Sequence, residues 1–116
     1  MSNILKVADL HIHTHFSDSS SSPQEVIYQA HQHGLNCIAI TDHDTIDGIL
    51  PTIAAAAEHN IEIITGVELS SEANNRDVRI LGYGFNAQDK FFIDKLNEMQ
   101  DRRIQRMIEM IQKLKM

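Results

Sequence analysis

Cysteine is nearly absent from this 116-residue chain: the single thiol, Cys37, lies inside an apolar run. One cysteine excludes an intrachain disulfide, and in that setting it reads as a small buried hydrophobe in a reducing cytoplasm, not as a reactive group. Long apolar runs are missing as well. No segment approaches the roughly 18 uninterrupted apolar residues of a membrane span, and no charged start leads into a long hydrophobic stretch. The chain therefore reads as soluble and cytoplasmic, with no membrane partner. Basic residues are scarce at the front. Residues 1–88 carry Lys6, Arg76 and Arg79 against eleven carboxylates, a balance of −8, whereas residues 89–116 carry seven basic and five acidic side chains, +2. An acidic front repels polyphosphates and nucleic acid unless bound cations reverse the local sign, so duplex DNA is not an expected partner. On charge alone, a solvated acidic surface is the simpler reading. The length suits one small domain and falls short of the roughly 200 to 250 residues of a closed α/β barrel.

What is present alternates between strand and helix signals. Ile4 to Leu10 reads as a short apolar strand. Ser22-Pro23-Gln24-Glu25 carries a capping serine, a proline suited to the first helical position and a glutamate that completes a capping box, so a helix should start there. It should bury Val26, Ile27 and Ala30, end at Gly34, and leave His31 and His33 at the surface. Cys37 to Thr41 suits a buried parallel strand. A helical segment follows from about Ile46 to His59, broken in two by Pro51, with the alanine block 54–57 packing on a sheet and His59 at its surface end. Ile61 to Thr65 reads as the third strand, Glu68 to Ala73 as its continuation or a fourth, and Val78 to Tyr83 as another, with Asn74-Asn75 as the turn. Alternation of this kind implies parallel pairing with right-handed crossovers. Asp89 to Met116 reads as one long helix with an apolar stripe from Ile93 to Leu114 that needs something to lie against. Its arginines 102, 103 and 106 read as a solvated face in preference to phosphate ligands.

The chemistry sits where strands end. Side chains two apart on a strand share a face, so His11 and His13 can converge on one cation. A second imidazole in an acidic setting, Thr41-Asp42-His43-Asp44, follows the second strand, and Gly66-Val67-Glu68 follows the third. Residues at the carboxyl ends of parallel strands face one crevice, so His11, His13, Asp18, His43 and Glu68 should gather despite their separation in sequence. Imidazoles and carboxylates without thiolates suit Zn²⁺, Mn²⁺ or Fe²⁺ in an open, catalytic site.

These segments carry a family resemblance. Asp9-Leu10-His11-x-His13-Thr14-x-x-Ser17-Asp18, Ile38-Ala39-Ile40-Thr41-Asp42-His43-Asp44-Thr45 and Gly66-Val67-Glu68, with Ile80-Leu81-Gly82-Tyr83-Gly84-Phe85, resemble the PHP (polymerase and histidinol phosphatase) family of metal-dependent phosphoesterases. The likeness is strongest to the branch with nucleoside 3',5'-bisphosphate phosphatases and 5'-to-3' oligoribonucleases. It implies an α/β fold, the amino-terminal part of a distorted (β/α)₇ barrel whose carboxyl-end cleft holds up to three divalent ions. It further implies that His11 and His13 bind one ion, that Glu68 bridges it to a second, and that Asp18 and His43 contribute to a third. Asp9 would orient a ligand histidine, and Asp42 and Asp44 join the catalytic group in a like role. The implied reaction is hydrolysis of phosphate esters of small nucleotides or short RNA by metal-activated water, without a protein nucleophile. Where many relatives have a histidine, this chain has Arg79, which cannot coordinate a cation and is assigned to substrate phosphate. The family's later ligands, a strand-end histidine and an Asp-x-His, have no counterpart after residue 86. Residues 1–88 are thus expected to be a partial PHP domain and 89–116 the start of an inserted subdomain, about the front two-fifths of a larger enzyme with little turnover alone. The competing expectation is a non-catalytic metal-binding or interaction module.

Overall fold

The computed structural model describes residues 5–115. Four strands form one sheet in the order β1-β2-β3-β4: β1 Ala8–Ile12, β2 Cys37–Ile40, β3 Glu62–Ala73 and β4 Arg76–Tyr83. β1–β2 and β2–β3 pair in parallel, and β3–β4 is an antiparallel hairpin. Three helices complete the described residues: α1 Pro23–Gln32, α2 Ile49–Ala56 and α3 Lys90–Leu114.

The first strand lies further along than the apolar run suggests. Ile4 is outside the described residues, residues 5–7 are not in a strand, and β1 continues through His11 to Ile12. The reason is its partner. Ala8 and Asp9 register with Cys37 and Ile38, and Ile12 with Ile40. β2 therefore selects which residues are extended, and composition does not. The α1 start follows the sequence closely: the Ser22 side chain accepts from the Glu25 amide at 3.1 Å and the capping box is complete. Gly34, just past the helix, has φ +70°, the left-handed conformation of a helix terminator.

Pro51 does not break α2. The helix begins at Ile49, so Pro51 sits in the first turn, where a backbone N–H has no intrahelical acceptor to lose. Residues 46–48 form a turn instead of helix, and the helix ends at Ala56, short of His59. β3 runs unbroken through Gly66, so Glu68–Ala73 is its continuation. Asn74 and Asn75 have φ of 53° and 62°, the pair of left-handed residues that a two-residue hairpin turn demands.

One core holds these elements together. Val26, Ile27 and Ala30 of α1 meet Ile38 and Ile40 of β2, Ala56 of α2 and Ile61, with Ile12, Leu35, Ala55 and Ile63 packed around them. Ile38 and Ile40 are two apart and share the helix-covered face, while Ala39 between them is also fully buried, as a central parallel strand requires. Gly66 lets β3 close on the end of β2: a Cβ there would stand 2.8 Å from the Ile40 carbonyl oxygen and 2.8 Å from Thr41 Cγ2.

α3 is capped by Asp89, whose side chain accepts from the Phe92 amide. Its first half lies on the protein, with Leu96 buried, Phe92 stacked on Phe85 at 4.5 Å, and Gln100 donating to the Asp44 carbonyl. Its second half exposes Ile104, Met107, Ile108, Met110, Ile111 and Leu114.

Candidate metal centre

Three neighbouring strands and the loops after the first two deliver the site. His11 is the fourth residue of β1 and His13 follows its end. His43 lies three residues beyond β2, and Glu68 is inside β3. Main-chain bonds fix the last two against each other. The Glu68 amide donates to the Asp42 carbonyl at 3.1 Å and the Asp44 amide donates to the Glu68 carbonyl at 3.0 Å, forming a bridge between His43 and Glu68.

The side chains converge as topology requires. Glu68 Oε1 lies 2.6 Å from His11 Nε2 and 3.4 Å from His13 Nε2, and its Oε2 lies 2.9 Å from His43 Nδ1. Asp18 Oδ1 is 2.8 Å from His13 Nδ1 and its Oδ2 is 2.9 Å from His43 Nε2. The result is two overlapping trios, His11–His13–Glu68 and His13–Asp18–His43, whose ligand atoms within each trio all lie within 4.8 Å of one another. His13 belongs to both. Its Nε2 is buried and, despite the 3.4 Å approach of Glu68, has no hydrogen-bond partner. A buried imidazole nitrogen left over in a set of three imidazoles and two carboxylates is what a cation ligand offers, so the donor set fits a divalent ion of the zinc, manganese or iron kind.

The environment tunes both carboxylates. Burial would push the Glu68 carboxyl up, but the His11 hydrogen bond and the charges of His43, His13 and His11 together outweigh it and hold Glu68 below the ordinary carboxylate value. For Asp18, loss of solvent likewise opposes ionisation, and attraction to His13 and His43 with their hydrogen bonds prevails, so it too is lowered. Both are ionised at neutral pH and ready to neutralise a cation.

Asp9, Asp42 and Asp44 occupy a different tier. Asp9 Oδ1 accepts from the His11 main-chain amide at 3.1 Å, so it reaches that histidine through the backbone. Asp42 is buried and accepts three hydrogen bonds: from the Thr14 amide at 2.6 Å, Thr14 Oγ1 at 2.6 Å and Ser17 Oγ at 2.7 Å. It clamps the loop that carries His13 and Asp18 to the loop that carries His43. Asp44 is buried with φ +55°. Its carboxylate accepts from the Ser70 amide at 2.8 Å and from Arg103 of α3. Arg79 Nη1 donates to Ser70 Oγ at 2.7 Å and stands 3.4 Å from His43 Nδ1, beside the cluster. Thr14, Ser17, Ser70 and Arg103 have no role that the sequence announces. Thr14 and Ser17 lie in the first motif, but their partner is 25 to 28 residues away, and no spacing rule connects them.

Comparison with known proteins agrees with this geometry. The PHP domain model matches residues 9–115. A 5'-3' exoribonuclease of Haemophilus influenzae is 38% identical over 109 residues, covering 94% of this chain and 40% of that protein. A 3',5'-nucleoside bisphosphate phosphatase of Chromobacterium violaceum is 34% identical over 102 residues, covering 88% and 36%. The chain thus spans about two fifths of the length of these relatives. Among solved structures, a proposed metal-dependent phosphoesterase from Bifidobacterium adolescentis superposes with a TM-score of 0.81 at 27% identity, over 94% of this chain and 38% of that one. The strands, helices and long terminal helix described above are those of part of a PHP barrel. Matched over nearly its whole length, this chain belongs to the PHP domain family.

Proposed function

We propose that this chain supplies the amino-terminal part of a cytoplasmic metal-dependent phosphoesterase acting on phosphate esters of small nucleotides or short RNA. One observation carries the reading. Three imidazoles and two carboxylates, carried by three neighbouring strands and the loops that follow the first two, meet in two overlapping trios, with His13 Nε2 buried and unpartnered between them. His11, His13 and Glu68 would hold one ion of the Mn²⁺, Zn²⁺ or Fe²⁺ class, and Asp18 and His43, with His13, would contribute to another. When bound, such ions supply the Lewis acidity that polarises a phosphate ester and acidifies water.

The remaining roles fall to the chain itself. Asp42 acts on the site by holding the His13–Asp18 loop, and Asp44 by holding β3 and α3, so both serve the catalytic group as positioning residues. Asp9 steadies the His11 main chain. Arg79, at the edge of the cluster, offers its guanidinium to substrate phosphate. Residues 1–88 form the PHP portion and α3 opens a further subdomain, a reading that the exposed apolar stripe of its second half supports. The names of the relatives support the nucleotide or RNA substrate class.

Metal affinity is the decisive measurement. Mn²⁺ and Zn²⁺ titrations of the metal-free protein by calorimetry should show binding that His13→Ala abolishes, because His13 serves both trios. Phosphate release from adenosine 3',5'-bisphosphate, even if slow, should depend on added metal and vanish in Glu68→Gln. Equal metal affinity in wild type and His13→Ala would overturn the proposal.

A further inference from the structure

At the end of the domain away from the metal centre, the fold brings together a second pair of imidazoles. His31 stands in the last turn of α1 and His59 just beyond the end of α2, and their ring centroids are 4.9 Å apart. They line a cleft of about 350 Å³ with Glu58, Asn36, Asn60 and Ile61. Asn36 and Ile61 directly precede β2 and β3, so the cleft lies where those strands begin, whereas His43 of the metal centre lies beyond the end of β2. No residue of the cleft belongs to the histidine–carboxylate cluster.

The spacing of the two rings is that of ligands to one cation. With metal–nitrogen distances of about 2.0 to 2.1 Å, two imidazoles on adjacent coordination positions have ring centroids roughly 4.5 to 5.2 Å apart. Rings within the metal centre stand at similar separations, 5.2 Å for His11–His13 and 4.4 Å for His13–His43. The two rings are also uncommitted. Among the described residues neither His31 nor His59 makes a side-chain hydrogen bond or ion pair, whereas the ring of neighbouring His33 is spent on the Gln29 carbonyl, 2.8 Å from its Nδ1.

Electrostatics favours a positive guest. The carbonyl ends of α1 and α2, the negative poles of their dipoles, both open on the cleft. Glu58 adds a carboxylate, and no lysine or arginine is among the lining residues. Because Glu58 is exposed, its side chain can rotate to fill a third coordination position. Imidazole nitrogen combined with carboxylate oxygen selects cations such as Zn²⁺, Ni²⁺ and Cu²⁺ over Mg²⁺ and Ca²⁺.

We propose that His31 and His59, with Glu58, form a peripheral site for one divalent transition cation that ties the ends of α1 and α2 together. Ala30 and Ala56, one from each helix, already share the core beneath, and a cation held only by the folded chain adds stability by mass action. This site stands independently of phosphoesterase chemistry. Zn²⁺ taken up here is a second, weaker equivalent that His13→Ala leaves in place.

The test is calorimetric titration of the full chain with Ni²⁺. Wild type should bind one equivalent more than either His31→Gln or His59→Gln, and the double variant should lose no more than each single one, because both rings serve the same ion. His31 is exposed and His59 half-buried, so the variants should fold, which an unchanged melting temperature in chelator checks. In His13→Ala the equivalent should persist, and Ni²⁺ should raise the melting temperature of that protein but not of one that also carries His31→Gln. Ni²⁺ stoichiometry unchanged in either single variant, or losses that add in the double variant as for independent surface histidines, overturns the shared site whatever happens at the metal centre.

Discussion

Asp42 offers the sharpest test of how the site is held. Its carboxylate is fully buried and takes three hydrogen bonds of 2.6 to 2.7 Å from Thr14 and Ser17. Bonds to a charged acceptor contribute about 1.5 to 3 kcal/mol each. Asp42→Ala removes all three and strands the Thr14 amide and two hydroxyls. Taking the low end for each, and allowing water to recover part of the loss, destabilisation should be about 3 to 4 kcal/mol. That is a large fraction of the roughly 5 to 15 kcal/mol typical of a domain. Asp42→Asn is the control. Its carbonyl can keep the two bonds made by Oδ1, and the Thr14 hydroxyl can rotate to accept from the new amide, so the cost should be about 1 kcal/mol. The chain has no tryptophan, so urea unfolding is followed by far-ultraviolet circular dichroism. Mn²⁺ affinity should fall with Asp42→Ala even under conditions where it remains folded, because the freed loop carries His13 and Asp18. An Asp42→Ala protein within 1 kcal/mol of wild type would refute the clamp.

Other outcomes follow from the same geometry. Glu68 has a folded-state pKa below its unfolded value, so the folded chain binds fewer protons between the two. Its stabilisation is therefore complete above the unfolded value of about 4.3 and is lost as pH falls through the folded one. In acid titrations of the metal-free protein, melting temperature should drop less steeply below about pH 4 for Glu68→Gln than for wild type. Gly66→Ala should cost about 1 to 3 kcal/mol in urea unfolding, because its Cβ would meet the Ile40 carbonyl at 2.8 Å and main chain yields poorly. His11→Ala should weaken metal binding less than His13→Ala, since His11 joins one trio and His13 both, a ranking that parallel titrations decide. Cys37, whose thiol burial and the nearby Glu62 push upward, should alkylate slowly at neutral pH compared with glutathione.

Much of this was legible from residues because the signals were local or topological. The cap at Ser22, the stop at Gly34 and the Asn74-Asn75 turn are short-range devices whose chemistry sits within a few residues. The gathering of His11, His13, Asp18, His43 and Glu68 follows from the order of neighbouring parallel strands, although Glu68 lies inside β3, beyond its parallel pairing with β2, and not at the strand's end. Illegible were features set by distant partners. The bounds of β1 depend on register with β2, and the apolar residues before it pointed too early. Pro51 was misread because its effect turns on where the helix starts, which the alanine block does not define. Arg103 resembles any charged helix residue until Asp44, 59 positions earlier, is found beneath it.

The bridge between His43 and Glu68 has a consequence for how the protein can be watched. Because the Glu68 amide and carbonyl are tied to Asp42 and Asp44, the carboxylate meets the histidines only when β3 is seated on β2 in one alignment. A slip of a single residue would turn Glu68 to the opposite side of the sheet. Cation uptake is thus a gauge of correct strand alignment, and its time course during refolding would time the moment at which β2 and β3 lock.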